Sequence, residues 1–240
     1  MKRILLLFAI ILCAGRVSAQ QGDVSVEQYI SNPIKQWTSS FTTIDVDAPI
    51  RLTLTQISSD QAPYIVYDTK GNETSRFTAE VEKGQVLKIR ERYDPKRASV
   101  TEVQVFYNTL DHITISRADT QLNGALKTKM LDVEISNNAK FVAELDVKDL
   151  VISVNGNCGV EITGKTLYQM VDVTSSQYNA ARLETMSTIV ESHHNAEVRV
   201  YATQRLEAKS TTGGKIMYKS TPEILRTEKT LFGVDPTPLK

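Results

Sequence analysis

Residues 131–162 read LDVEISNNAKFVAELDVKDLVISVNGNCGVEI and contain the same pattern twice. In each copy, aliphatic residues alternate with polar ones, a turn rich in Asn and small residues follows, and an alternating apolar pair comes after the turn. The first copy begins at Leu131 and the second at Leu150, 19 residues later. Alternation with a period of two is typical of a half-buried β-strand. The stretch therefore predicts two strand-rich units of equal length.

The pattern continues toward the C-terminus. Further units begin at Met170, Ile189 and Leu206, so that the five starts lie 17 to 20 residues apart. The five turns are SNNA (136–139), NGNCG (155–159), SQYNA (176–180), SHHNA (192–196) and STTGG (210–214). Self-similarity at a fixed interval of about twenty residues indicates a repeat fold.

Short strands joined by small-residue corners are what a β-solenoid requires. Each coil advances by about 4.8 Å, the spacing of hydrogen-bonded strands, so that equivalent residues stack and the inward aliphatics form one column. Parallel strands with crossover connections predict right-handed winding. We therefore predict an all-β, single-stranded right-handed β-helix (β-solenoid). An antiparallel sandwich is the alternative, but it does not explain why the turns share a composition.

Alternation is also present before the repeats, from Phe41 to Ser116, but without a fixed interval. IRLTLTQ (50–56) and VTEVQVFY (100–107) each place aliphatics on one face and polar residues on the other. Turn residues such as Lys83-Gly84 separate these runs. We expect more irregular or antiparallel strands in this N-terminal half.

The N-terminus has the features of a signal peptide over residues 1–19. Lys2 and Arg3 precede an apolar run, and Val17-Ser18-Ala19 has the small-x-small form of a cleavage site. No later stretch has the eighteen or more consecutive apolar residues that would span a bilayer. We expect a soluble exported protein with no membrane span.

The rest of the chain divides into three parts. Residues 20–40 are polar and are predicted to be a linker or a short helix that carries Trp37 near its end. Residues 41–222 are predicted to form the solenoid domain, and residues 223–240 a C-terminal tail.

Charge and cysteine content limit the classes of partner. The chain has 28 basic and 28 acidic residues, and loss of residues 1–19 leaves 25 basic and 28 acidic ones. Nucleic acid and anionic membrane are poor partners for such a surface. The mature chain keeps one cysteine, Cys158, so we expect no internal disulfide.

Several stretches together resemble a known family. They are FTTIDV (41–46), IRLTLTQ (50–56), VFYNTLDHITIS (105–116), and GGKIMY (213–218) with Pro222 four residues on. They are similar to the head GIN domain of autotransporter adhesins, an exported domain of unknown function common in Bacteroidetes. The Ser-Gly-Ser-Gly turns typical of the family are only partly matched here, and Ser220 stands where a Gly is usual.

The resemblance implies a single-stranded right-handed β-helix. It also implies export, to the periplasm or the outer surface of a Gram-negative bacterium. It brings no established catalytic residues.

His193 and His194 are the strongest candidates for a metal-binding or ligand-binding site. On a strand, neighbouring side chains point to opposite faces and cannot share an ion. In a turn, two nitrogens still fall short of the three protein ligands of a catalytic zinc. We predict no metal site. We consider instead a ligand-contacting surface in which these imidazoles stack against Tyr178 and Asn179 of the previous coil, with a plain exposed turn as the alternative.

We predict no catalytic residues. The turn of Cys158 offers no basic neighbour to lower the pKa of the thiol, so a reactive thiolate is not expected. Glycan cleavage requires paired carboxylates that converge on one cleft. The acids of the repeats are single residues that alternate with strand aliphatics, namely Asp132, Glu134, Asp172, Glu184, Glu191 and Glu197.

The sequence thus predicts an exported, non-enzymatic β-solenoid, an adhesin-like binding module of the cell envelope, with no cofactor. A surface glycan or a protein is the expected partner. Two alternatives stay open. One is a polysaccharide-processing, pectate-lyase-like enzyme on a β-helix scaffold, and the other is a purely structural homo-oligomer.

Overall fold

The computed structural model describes residues 32–71, 76–96, 99–230 and 232–239. The predicted signal peptide lies outside these residues, as does the first part of the predicted linker. In chain order, the described strands are β1 (Ile34–Trp37), β2 (Thr43–Asp47), β3 (Arg51–Gln56), β4 (Tyr64–Asp68), β5 (Thr78–Glu82), β6 (Val86–Arg90), β7 (Glu102–Tyr107), β8 (His112–Ser116), β9 (Asp119–Ser136), β10 (Lys140–Asn155), β11 (Gly159–Thr174), β12 (Gln177–His193), β13 (Glu197–Ser210), β14 (Lys215–Lys219), β15 (Ile224–Lys229) and β16 (Thr237–Pro238).

The five long strands β9 to β13 are successive coils of a β-solenoid. Each pairs in parallel with the next, and Lys140 of β10 lies opposite Gly159 of β11, one repeat of 19 residues away. The predicted all-β solenoid is confirmed. Each repeat is a single long strand, whereas the sequence predicted short strands joined by corners.

The coils present two outer faces. Face A is the stack formed by β3 and the first halves of β9 to β13. It begins where Arg51 of β3 pairs with Asp119 of β9. Face B is the stack formed by β2, β8 and the second halves of β9 to β13. In this stack, His112 of β8 pairs with Asp132 of β9. Outward side chains of successive coils therefore form rows, one residue per coil.

The core lies between the two faces. In β10, alternate residues point inward, and Phe141, Leu145, Ile152 and Val154 are all at most 1% exposed. Most of their registered neighbours in β9 and β11 are buried too, for example Val173 opposite Val154. Strict alternation in sequence thus becomes one continuous apolar column.

The corners are stabilised by backbone geometry and by hydrogen bonds between coils. Asn138 and Asn157 have φ of 62° and 61°, a left-handed conformation that Asn tolerates better than most residues. The amide N–H of Asn138 donates to the carbonyl of Gly156 at 2.8 Å, and the Asn157 side-chain amide donates to Asn138 Oδ1 at 3.0 Å. The shared composition of the turns therefore reflects their stacking.

Antiparallel strands close the N-terminal end of the solenoid. β5 and β6 form a hairpin on β2 of face B, and β1 and β4 add to β7 on face A. The antiparallel strands expected in the N-terminal half are therefore present. Within the segment predicted as a linker or short helix, residues 34–37 form the edge strand β1, which pairs with β4.

Strand pairing also continues beyond residue 222. β15 pairs in parallel with β13, and β16 with β14, so residues 223–240, expected to be a tail, contribute strands to a further coil. All six residues of β15 are exposed. No helix among the described residues is long and apolar enough to cross a bilayer.

Candidate functional site

The two adjacent histidines have different surroundings. His193 ends β12, and its side chain is 21% exposed. Its Nδ1 lies 2.7 Å from Thr211 Oγ1, and its Nε2 lies 3.4 Å from Glu191 Oε2 and 3.6 Å from Asp172 Oδ1. His194 lies in the exposed corner with a φ of 50°. The two imidazoles therefore do not form one site.

Tyr178 requires a correction to its predicted role. The residue is 1% exposed, so its ring belongs to the core and cannot contact a ligand at the surface. Its hydroxyl accepts a hydrogen bond from the buried Gln169 amide, and burial raises the pKa of Tyr178 far above its ordinary value. Asn179, its half-buried neighbour, accepts a hydrogen bond from the Ala181 amide at 3.3 Å.

Stacking brings acids together that are far apart in sequence. Asp172 lies directly opposite Glu191 on the next coil, and both carboxylates flank His193. Lys209 of the following coil lies 3.8 Å from Glu191. The side chains of Asp172 and Glu191 are 58% and 40% exposed on an outer sheet face, where alternating charges stabilise one another weakly.

Other reactive side chains are held in structural contacts. The Cys158 thiol is buried and donates a weak hydrogen bond to the Asn155 carbonyl at 3.2 Å, and burial raises the pKa of the thiol. His112 lies 3.4 Å from Asp132 across face B. Within the described ranges, no three side chains among His, Cys, Asp and Glu are grouped so that they could hold a metal ion.

A row of aromatic rings crosses the N-terminal end of face A. Trp37, Tyr64 and Phe106 lie in register on β1, β4 and β7. The Trp37 and Tyr64 ring centroids are 5.2 Å apart in an edge arrangement, and those of Tyr64 and Phe106 are 4.3 Å apart and stacked. Trp37 is 62% exposed. We call these three residues the aromatic row.

A cation and polar groups border the aromatic row. Lys35 Nζ lies 4.1 Å from the Trp37 centroid and 3.9 Å from the Tyr64 centroid, within the range of a cation–π interaction. Trp37 is the most exposed of the three rings, since Tyr64 and Phe106 are only partly exposed. Beyond Phe106, the same register continues to Thr55 and Asn123. The five positions from Trp37 to Asn123 span about 19 Å at the usual strand spacing.

Sequence reasoning missed this row. Its members come from three separate stretches, and antiparallel pairing of β1 with β4 and of β4 with β7 brings them together. The only signal was the alternation of YIVYD (64–68) and EVQVFY (102–107), which places Tyr64 and Phe106 on outward positions.

Face B carries a second exposed feature, which we call the apolar strip. Its members are outward side chains of β9 to β12 that are 39% to 66% exposed: Met130, Val151, Tyr168, Met170 and Ile189. Val151, Met170 and Ile189 form one row of directly paired residues. Contiguous apolar surface of this kind is typical of an interaction site.

The fold defines the class as a β-solenoid protein with exposed sheet faces. A family model described as "Putative auto-transporter adhesin, head GIN domain" matches residues 40–222. The chain belongs to this family, which confirms the resemblance found in the sequence. A comparison with curated proteins found no match.

Solved structures share the fold. A crystal structure of a "putative adhesin" from Bacteroides fragilis is 18% identical with a TM-score of 0.78, covering 87% of this chain and 96% of that one. A "putative lipid binding protein" from Parabacteroides distasonis is 19% identical with a TM-score of 0.67, covering 88% and 97%. A "putative adhesin" from Parabacteroides merdae is 17% identical with a TM-score of 0.65, covering 88% and 96%.

Proposed function

We propose that this chain is an exported, non-enzymatic binding module of the Gram-negative cell envelope, and that it binds a surface glycan through the aromatic row. The observation that carries the proposal is the exposure of Trp37, a large ring left open to solvent beside a cation and polar side chains. A sugar presents a face of C–H groups and a rim of hydroxyls, which such a surface matches. The family description and the solved adhesin-like relatives support a binding role.

The geometry of the acids favours binding over cleavage. Asp172 and Glu191 are neighbours on the same sheet face, where they pair with His193 and Lys209, and do not lie on the two sides of a cleft. Glycan-cleaving enzymes hold two carboxylates on either side of the scissile bond. Incubation with a panel of polysaccharides tests this part, and release of new reducing ends or unsaturated products would replace it with the enzymatic alternative.

Substitution of the exposed ring tests the binding proposal. Trp37→Ala removes the open stacking surface, and we expect it to weaken glycan binding at least tenfold, about 1.4 kcal/mol, in calorimetric titrations with the best ligand of a glycan screen. Phe232→Ala is the matched control, because Phe232 is a 78% exposed ring after β15, outside the aromatic row and the apolar strip. Equal affinity of the Trp37→Ala variant and the wild type would show that the glycan, if bound, lies elsewhere.

The apolar strip favours a second candidate function, self-assembly through face B. Burial of these side chains against the same strip of another copy would remove them from water. Light scattering of the mature chain tests this candidate. We expect a dimer that Met170→Lys converts to a monomer, and a wild-type chain that stays monomeric at high concentration would contradict it.

A further inference from the structure

Four arginines surround one open cavity at the N-terminal end of face B. The cavity has a volume of about 420 Å³ and lies where β2 and β6 end and where the chain turns from β8 into β9. We call it the arginine pocket. It is lined by Asp47, Arg76, Arg90, Glu91, Arg92, Tyr93 and Arg117.

Two of the arginines are fixed by carboxylates and backbone. Arg117 Nε donates to Asp47 Oδ1 at 2.7 Å, and its Nη2 donates to the Asp47 carbonyl at 3.0 Å. Arg90 forms an ion pair with Asp45 and donates to the Asp45 carbonyl at 2.7 Å. The Arg117 side chain beside Asp47 lowers the pKa of that carboxyl, which keeps it ionised. These two guanidinium groups form a rigid wall of the pocket.

The other two arginines carry no ion pair among the described residues. Thr78 of β5 lies opposite Arg90 of β6, so the chain before Thr78 and the chain after Arg90 run side by side. This pairing brings Arg76 and Arg92 to the same pocket, and both are exposed. Like charges on neighbouring strands destabilise a hairpin, and an anion between them would remove that cost.

The nearby acids leave the pocket positive. Glu91 is 3% exposed, and its carboxylate accepts a hydrogen bond from Thr101 at 2.7 Å. The pocket lining therefore carries two acidic side chains, Asp47 and Glu91, and four guanidinium groups. Tyr93 adds a ring and a hydroxyl at the rim.

We propose that the arginine pocket binds a tetrahedral oxyanion, a phosphate or sulfate ester group. The planar fork of a guanidinium group donates two parallel N–H bonds, a geometry that matches phosphate and sulfate oxygens. Arg76 and Arg92 supply the donors, and Arg90 and Arg117 supply the fixed positive wall. This site is distinct from the aromatic row and does not depend on it.

Titration with inorganic phosphate and inorganic sulfate at low ionic strength tests the pocket, with calorimetry as the readout. The Arg76→Gln/Arg92→Gln double variant removes the two guanidinium groups that have no ion pair among the described residues, and we expect it to weaken anion binding at least tenfold. Arg182→Gln/Arg226→Gln is the control, because it makes the same change in net charge at two arginines that are 69% exposed and lie away from the pocket. Melting curves of both double variants verify that they are folded.

Two further titrations show whether the bound phosphate or sulfate group belongs to a glycan or to a lipid. A sulfated oligosaccharide and vesicles of phosphatidic acid in phosphatidylcholine are each compared with their uncharged counterparts. The ligand whose binding the Arg76→Gln/Arg92→Gln variant loses, and the control variant keeps, identifies the source as glycan or lipid. The proposal is overturned if both double variants bind the anions equally, or if the wild type binds neither anion.

Discussion

Gly164 lies where the backbone of β11 passes close to the previous coil. Its φ is +111°, and a Cβ atom added there would lie 2.0 Å from the Leu145 carbonyl oxygen. Both the backbone conformation and the lack of space therefore require glycine. Single residues of this kind fix how closely two coils approach, in a way that the composition of the repeat does not show.

Replacement of Gly164 tests this requirement. We expect Gly164→Ala to lower the free energy of unfolding by about 2 to 4 kcal/mol, because it combines backbone strain with a steric clash. Urea denaturation provides the measurement. Gly159→Ala is the matched control in the same strand, since a Cβ at Gly159 meets no atom within 4 Å. A similar stability for both variants would contradict the close approach of the coils.

At the scale of the element, alternation decides which side chains enter the core. Val151 and Val154 lie in the same strand, β10, but Val151 is 45% exposed on the apolar strip and Val154 is 1% exposed in the core column. The two valines have the same chemistry and opposite directions, so they separate the effect of position from that of residue type.

Introduction of a carboxylate at each of these two positions tests whether the inward and outward sides of β10 differ in their tolerance of charge. Val154→Asp buries an unpaired charge, and we expect it to cost at least about 3 kcal/mol or to prevent folding. Val151→Asp adds a charge that is solvated in the monomer, and we expect it to remain near wild-type stability in thermal melts at a protein concentration where the chain is monomeric. Equal damage from both substitutions would mean that the two faces of β10 are not distinguished by burial.

The strands and corners could be predicted from the sequence, because they depend on local patterns. The alternation around Val154 and the Asn-rich turn at Asn157 each predict their own structure. The aromatic row was not accessible, because it requires the antiparallel pairing of β1 with β4, and nothing local to Trp37 specifies its partner. Tyr178 was misplaced for a related reason, since a Tyr in a turn-like SQYNA stretch gives no sign that Gln169 satisfies its hydroxyl inside the core.

At the scale of the molecule, the solenoid is a stack in which each coil contacts mainly its neighbours. Stability in such folds is close to a sum of coil and interface contributions. Removal of one whole repeat should therefore leave the remaining coils able to stack, provided the register is kept.

Deletion of residues 140–158 removes one period, because Lys140 and Gly159 occupy equivalent positions. We expect the shortened chain to fold into a β-rich structure with a lower melting temperature, as followed by circular dichroism. Deletion of residues 140–148 removes about half a coil, exchanges face A for face B, and is expected to prevent folding. A shortened chain that is unfolded after loss of the whole period would contradict independent coil stacking.

The two surfaces at the N-terminal end give the molecule its proposed role. The aromatic row lies on face A and the arginine pocket at the end of face B, both on the strands that close the solenoid. On this proposal, the repeated coils act as a scaffold, and the irregular N-terminal half carries the recognition surfaces.

Fluorescence of Trp37 tests the central claim most directly, because Trp37 is the only tryptophan in the chain. Titration with a panel of uncharged surface glycans, which the arginine pocket is not expected to bind, should give a saturable change in tryptophan emission for the glycan that binds, with the same midpoint as calorimetry. The Phe232→Ala variant should reproduce the change. A glycan that binds by calorimetry without altering the emission, or a panel in which no glycan binds, would contradict recognition at the aromatic row.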